Sequence, residues 1–261
     1  MANNESIKLL INGVSGAGKT ELLRSLGAET FVVSRDSKKF ALPIPYMLVD
    51  TYYDMDTLLY GGNVKDEEGN DVYIQGITDK LEIYIEKHGK MPENVVIDTV
   101  SQITMDVIEA AAPIPTAWGE QGAFITKEMA KLTRFIHEYL ELNGITVILL
   151  NHIIPEKEDG KFTGKYSQFG QGKFLNKGGF YSTTNEAITI VVEGKNRVVY
   201  TNDIEKFART MLTDVPEKWY VENTKFPEKS KKLKEGETYF NLKHYLDLLK
   251  QNQINTEEWA I

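Results

Sequence analysis

The sequence contains no cysteine. Disulfide scaffolds, thiolate metal sites and thiol nucleophiles are therefore excluded, and a reducing compartment fits without being required. Histidine is scarce too, at 4 residues in 261. A bound metal is then expected to be Mg²⁺ held by carboxylate and phosphate, not an imidazole-bound transition ion. Proline stops at 8 residues and no internal repeat is visible, which sets aside collagen-like and disordered chains. The longest apolar run, residues 145–150, is far short of the ~20 residues a membrane-spanning helix needs. The opening Met-Ala-Asn-Asn-Glu-Ser carries an acid and no basic stretch, so no signal peptide, no membrane partner and a cytoplasmic location are expected. Basic residues are outnumbered, 30 against 38, for a formal net charge of −8. The molecule as a whole repels polyanions, so any nucleic-acid contact must come from a local patch and weaken with salt.

What is present is a length that can bury roughly 70 to 75% of the unfolded chain's surface without covalent staples. Short β-branched runs at 7–12, 30–34, 94–98, 145–150, 187–192 and 197–201 alternate with helical patterns at 19–26, 78–89 and 121–142. That order predicts an α/β fold with a mostly parallel central sheet flanked by helices. Ile125, Met129, Leu132, Ile136 and Tyr139 recur at helical spacing and read as core packing. Residues 1–201 form the expected core, with a small insertion at 35–76 that carries a hairpin around Glu68-Gly69-Asn70. Residues 111–119 read as a Pro-rich loop. Residues 153–179 mix glycine, lysine and aromatics without periodicity and are expected to be mobile. Residues 202–261 read as a C-terminal extension with one helix near 242–250, preceded by a lysine-rich stretch at 225–234 expected to be a solvated linker.

Gly13-Val14-Ser15-Gly16-Ala17-Gly18-Lys19-Thr20 satisfies the Gly-x4-Gly-Lys-Thr pattern, which chance supplies about once in a hundred chains of this length. An apolar strand runs in and a helix runs out. Backbone N–H groups of such a loop converge on the oxygens of a triphosphate, Lys19 reaches the β- and γ-phosphates, and the Thr20 hydroxyl ligates Mg²⁺. The alternative is a glycine-rich turn with a solvated lysine. The run Asn94-Val-Val-Ile-Asp98 ends in an acid at the sheet edge where ligands bind in open α/β folds. Asp98 is expected to hold the metal through water; the alternative is a solvated or capping carboxylate. A third strand ends in Asn151-His152, with both side chains expected at the same edge, within reach of a γ-phosphate. The alternative for His152 is a hydrogen-bonded cap.

In this order the motifs resemble the RecA-like P-loop ATPase core, across residues 7–201. Val-Ile-Asp98-Thr-Val-Ser is similar to that family's metal-carboxylate strand. Leu-Leu-Asn151-His152 is similar to its strand ending in Asn-Gln, with histidine in the position of the sensing amide. Lys177-Gly178-Gly179 resembles the segment that closes its second DNA-binding loop. Within the group, the chain looks most like phage single-strand-annealing ATPases of the AAA-type nucleotide-binding class. The resemblance implies ATP and Mg²⁺ as cofactors and hydrolysis coupled to single-stranded DNA in recombination or annealing. It also implies a homo-oligomer, a single-strand DNA-binding protein as a further candidate partner, and the host cytoplasm for a phage-encoded chain. The DNA loops would lie near 111–121 and at 153–179.

The second of these loops supports the idea from its own residues. Lys157, Lys161, Lys165, Lys173 and Lys177 outnumber Glu156, Glu158 and Asp159, and Phe162, Tyr166, Phe169 and Phe174 lie between them. Cations for phosphates and rings for bases are what an unspecific single-strand binder needs. Lys161, Lys165, Tyr166, Phe169, Lys173 and Lys177 are the DNA-contact candidates; the alternative is aromatics packed onto their own domain. Two departures from the family stand out. Its water-activating glutamate has no counterpart: strand 30–34 runs into Arg35-Asp36-Ser37, so Asp36, one methylene shorter, is the candidate base, with Asp50 and Asp54 as alternatives. Its N-terminal polymerisation segment is not seen either. A basic residue from a neighbouring subunit can speed phosphoryl transfer by about 10³ to 10⁵, and Arg209, with Lys206 beside it, is the candidate for that finger, a solvated base being the alternative. The expected catalytic set is Lys19, Asp36, Asp98, His152 and Arg209. Two other functions compete: a nucleotide-gated interaction module with little turnover, and a small-molecule or nucleoside kinase. An arginine-rich lid would suit the kinase, whereas 153–179 contains no arginine.

Overall fold

A computed structural model describes residues 6–35, 42–116, 119–168, 179–224 and 226–257. Among these, nine strands form one sheet whose main path runs β11-β10-β9-β1-β7-β6-β2-β3. In chain order they are β1 (Lys8–Gly13), β2 (Thr30–Ser34), β3 (Tyr46–Leu48), β6 (Asn94–Asp98), β7 (Thr146–Glu158), β8 (Lys161–Gln168), β9 (Glu186–Glu193), β10 (Asn196–Tyr200) and β11 (Lys218–Val221). The central pairings, from β9 through β1, β7, β6 and β2 to β3, are all parallel. β10 and β11 add antiparallel at one edge, and β8 pairs antiparallel with the far end of β7. A separate hairpin, β4 (Gly62–Lys65) and β5 (Asp71–Ile74), stands outside the sheet.

The central strands are buried on both faces, which is why they read as continuous apolar runs instead of alternating ones. Leu10, Val33, Val95, Ile97, Val147 and Leu149 face one layer. That layer contains α2 (Met55–Tyr60), α3 (Ile77–His88), α4 (Val100–Ala111) and α5 (Glu120–Phe135). Leu9, Ile11, Val32, Val96, Ile148, Leu150, Ile188 and Ile190 face the other, where α1 (Lys19–Leu22) and the last helix pack. The stripe expected in the long helix is in place: Ile125, Met129, Leu132 and Ile136 are buried. The rod continues past Phe135 through a π turn (Ile136–Leu140) and a 3-10 turn (Glu141–Asn143) to Gly144, whose φ of 72° ends it. A short helix, α6 (Gly179–Thr183), precedes β9.

One sequence expectation changes. Residues 153–168 are not an irregular loop: β7 runs on to Glu158, turns at Asp159-Gly160 and returns as β8. A ribbon solvated on both faces carries no hydrophobic period, so its pattern does not announce a strand. The remainder of that stretch, 169–178, lies outside the described residues. The C-terminal extension beyond 201 packs onto the core. β11 joins the main sheet, and α7 (Leu242–Glu257) buries Leu242, Tyr245, Leu246 and Leu249 in the same core as β1 and β9. No helix among the described residues is long and apolar enough to cross a membrane.

Candidate functional site

The parallel register brings several chemically distinct strand ends to one edge. Gly13 pairs with His152, Asn12 with Asn151, Leu150 with Asp98, and Asp98 with Ser34. β7 therefore lies between the strand that feeds the glycine-lysine loop and the strand that ends in Asp98, and His152, midway along it, lines the gap. Ser15, Gly16, Gly18, Lys19, Thr20, Arg35, Asp98, Thr99, Gln102 and His152 line a cleft of about 500 Å³ there.

The loop's glycines answer steric demands. A Cβ on Gly13 would lie 2.8 Å from Ile190 Cγ2 and 2.9 Å from Ile190 O, because β9 runs close alongside. Gly18 adopts φ 101°, a conformation side chains disfavour. Ala17 tucks into the core while Ser15 and Gly16 stay exposed.

Lys19 is only 6% exposed. Its ammonium donates to Gly13 O at 2.7 Å and Val14 O at 3.2 Å, and meets His152 Nδ1 at 3.0 Å. An ammonium has only donors, so Nδ1 is the acceptor and the ring proton sits on Nε2, in a ring that lines the cleft. The Thr20 hydroxyl donates to Asp98 Oδ2 at 2.9 Å. Asp98 is 4% exposed, and its carbonyl accepts from Arg35 N at 2.6 Å. The Asp98–Thr99 peptide bond is cis. Thr99 then caps α4, its side chain accepting from Gln102 N at 3.2 Å. A cation and its donors, a hydroxyl–carboxylate pair and an imidazole thus converge on one cleft.

The polar pair midway along β7 splits. Successive strand residues point to opposite faces, so His152 reaches the cleft while Asn151 turns to the helix-covered face and is buried. There Asn151 Nδ2 donates to Asn12 Oδ1 at 2.9 Å, and Ser101 Oγ donates to Asn151 Oδ1 at 2.8 Å. Ser101 Oγ also accepts from His152 N at 2.6 Å, and Asn12 Nδ2 donates to Phe207 O at 3.1 Å. The expectation of two side chains at the phosphate edge is corrected to one, with Asn151 fixing the strand behind it.

The chain matches no protein-family model and no curated protein.

The other expected residues lie elsewhere. Arg209 bridges Ala187 at the start of β9, the opposite end of the sheet from the cleft. Its guanidinium donates to the carbonyls of Tyr181, at 2.7 Å, and Thr184, and lies 4.4 Å from the centroid of the Tyr181 ring. It holds α6 and the residue that follows it. Lys206 pairs with Asp203 and sits 4.4 Å from the centroid of Tyr200. Asp54 is spent capping α2, accepting from Thr57 N at 2.8 Å and Thr57 Oγ1 at 3.0 Å, and Asp50 lines a different cavity with Tyr53 and Tyr73. Asp36, Phe169, Lys173 and Lys177 lie outside the described residues. Lys161, Lys165 and Tyr166 sit on the β7–β8 hairpin. An irregularity in the pairing there, where Gly164 takes φ 88°, shortens β8 and brings the Phe162 and Tyr166 rings to 5.2 Å. Lys157 stands across from Phe162.

Arg35 is a residue the sequence did not flag. Its Nε and Nη2 bind Asp106 Oδ2 and Oδ1 at 2.7 and 3.0 Å, and Nη1 donates to Val49 O and Asp50 O at 3.1 and 3.3 Å. This ties the exit of β2 to α4 and to the chain after β3. A lone arginine at a strand end gives no local signal of a partner on a helix that follows four strands later.

Proposed function

We propose that the chain is a RecA-like ATPase that binds ATP with Mg²⁺ and couples hydrolysis to single-stranded DNA, in recombination or strand annealing. The observation that carries this reading is the 2.9 Å contact from Thr20 Oγ1 to Asp98 Oδ2. It joins the end of the glycine-lysine loop to the acid of a strand that is not its neighbour in the sheet.

The residues fit the proposed groups. A hydroxyl beside a buried carboxylate is a hard-oxygen pair suited to Mg²⁺, which draws its other ligands from water and phosphate. A cleft of about 500 Å³ lies within the usual range of small-molecule sites. Lys19, now on two loop carbonyls and His152, can exchange these for phosphate oxygens, and His152 Nε2–H can donate to the outermost of them. When bound, Mg²⁺ would neutralise charge on the β- and γ-phosphate oxygens. Asp36 remains the base of this proposal, following an arginine whose four side-chain hydrogen bonds fix the chain's exit from β2.

The DNA side of the reading rests on continuity. β7 leaves the cleft at His152 and becomes the hairpin that carries Lys157, Lys161, Lys165, Phe162 and Tyr166. A change at Lys19 and His152 is passed along a single strand to lysines and paired rings of the sort that bind single strands without sequence preference. A homo-oligomer, a single-strand DNA-binding protein as partner and a host-cytoplasmic location belong to the same proposal.

Steady-state ATP hydrolysis across a titration of single-stranded oligonucleotide tests it, together with calorimetry of ATP–Mg²⁺ binding. Turnover should rise with DNA and the rise should shrink with salt. Absence of binding heat with ATP–Mg²⁺ would end the proposal. A second reading, a nucleotide-gated interaction module with little turnover, is favoured by the commitment of Asp54 to a helix cap and of Asp50 to another cavity. It wins if the wild type hydrolyses nothing with or without DNA, while Lys19→Ala loses nucleotide and protein partner together.

A further inference from the structure

Other arginines have side-chain or carbonyl partners. Arg35 is bound to Asp106, Arg24 to Glu21, and Arg209 to the carbonyls of Tyr181 and Thr184. Arg197 differs. It projects from β10, is exposed, and its guanidinium makes no hydrogen bond among the described residues. β10 lies on the flank of β1 away from β7 and β6, so Arg197 approaches the glycine-lysine loop from the side opposite Asp98 and His152.

The approach is close. Nη1, Cζ and Nε of Arg197 lie 3.1, 3.2 and 3.3 Å from where a Cβ on Gly18 would sit. Three guanidinium atoms at nearly one distance mean that the group lies flat against the loop at that residue. Gly18 is thus closed to side chains twice, by its φ of 101° and by the arginine. The charge is also felt in the first turn of α1. Glu21 is held below the ordinary carboxyl value chiefly by the hydrogen bond from Arg24, with smaller help from Thr224 and from the charge of Arg197.

These placements divide the loop into two flanks. Lys19, Thr20, Asp98 and His152 occupy one, where terminal phosphates and a metal would be held. On the other, beside Gly18 and Glu21, Arg24 is taken up by Glu21 while Arg197 lies against the loop itself, on the side left for the nucleoside end of a nucleotide laid through the loop. We propose that Arg197 forms a nucleoside-side subsite and pairs with the α-phosphate of a bound nucleoside di- or triphosphate. This rests on the nucleotide-binding reading above and assigns the end of the ligand that the loop motif leaves open. A planar guanidinium with parallel N–H donors suits two oxygens of one phosphate better than an ammonium does.

The test is equilibrium binding of ATP–Mg²⁺ and ADP–Mg²⁺ to the full chain, comparing wild type, Arg197→Ala and Arg197→Lys, with thermal unfolding in the absence of nucleotide as the control. Both ligands carry the α-phosphate, so Arg197→Ala should weaken both by a similar factor of about ten, as loss of a charged hydrogen-bonding partner does. Arg197→Lys should recover part of that, and an unchanged unfolding temperature would show the fold intact. Wild-type affinity of Arg197→Ala for both nucleotides overturns the proposal. So does a loss confined to ATP, which would put the arginine at the γ-phosphate. If the wild type binds neither nucleotide, the broader reading fails and takes the subsite with it; a binding wild type with an indifferent variant sinks the subsite alone.

Discussion

The Lys19 ammonium donates to His152 Nδ1 at 3.0 Å, so the ring is neutral and keeps its own N–H on Nε2. Replacing the imidazole removes a donor from the cleft and leaves the lysine on its two loop carbonyls. His152→Ala should therefore lower DNA-stimulated ATP turnover by about 10²-fold, the usual cost of removing one such donor. Nucleotide affinity should change by no more than about threefold, since a group acting mainly in the transition state moves kcat more than binding. His152→Gln, which restores an N–H at similar reach, should regain much of the loss. Turnover indifferent to His152→Ala would leave the ring as a mere cap on Lys19.

Asp98 offers a cleaner separation of charge from shape. Asp98→Asn keeps an oxygen for the Thr20 hydroxyl and removes the negative charge beside it. Binding of nucleotide in the presence of EDTA should be unaltered, while the Mg²⁺ concentration giving half-maximal turnover should rise by about tenfold or more, because hard divalent cations depend on anionic oxygen. A Mg²⁺ titration read by hydrolysis and by fluorescent-nucleotide binding decides it. Superimposable curves for variant and wild type would remove the carboxylate from the metal site.

The parts of this site that could be read from sequence are those fixed by local sterics or by two-sided burial. Gly13 and Gly18 are dictated by β9 at 2.8 Å and by a positive φ, constraints that leave a regular spacing. Val95, Val96 and Ile97 are wholly buried, so the strand and its terminal Asp98 stood out. Asn151 and His152 read as a pair in the sequence because the period of two that separates them carries no composition signal when both residues are polar. Arg35 and Arg197 act on residues far away in the chain, and nothing near either position encodes the partner. The hairpin escaped for the opposite reason: with both faces solvated, its residues lack the alternation that burial imposes.

Behind the cleft, Asn151 ties three elements together through Asn12 on β1, Ser101 on α4 and, through Asn12, the carbonyl of Phe207. Asn151→Leu has nearly the same volume but strands the Asn12 carbonyl oxygen and the Ser101 hydroxyl in a buried site. The expected cost is about 2 to 4 kcal/mol in urea unfolding, from two unsatisfied polar groups. The double variant Asn12→Leu/Asn151→Leu should cost less than the sum of the two single changes, because members of one network are not independent. Strict additivity would show that the chain of amides does not act as a unit.

Glu186, at the start of β9, is wholly buried. Its Oε1 accepts from Met211 N at 2.7 Å, and Oε2 lies 3.1 Å from the Tyr245 hydroxyl, which itself lies 2.9 Å from Thr210 Oγ1. Burial pushes the Glu186 carboxyl above its ordinary value, and the hydrogen bonds from Met211, Thr210 and Tyr245 offset only part of that rise. A carboxyl whose folded value lies above its unfolded one binds its proton more tightly in the folded chain. Its charged form therefore opposes folding at neutral pH, and that opposition fades as pH falls through the raised value, ending below the unfolded one. Glu186→Gln keeps the size and an acceptor for Met211 N while abolishing the titration. The stability of the variant relative to wild type should be highest near neutral pH and should decline steadily as pH is lowered toward the ordinary carboxyl range, measured by urea unfolding at a series of pH values. A difference that stays flat, or grows on acidification, would mean that the anchor joining β9 to α7 is held by the charged carboxylate and not against it.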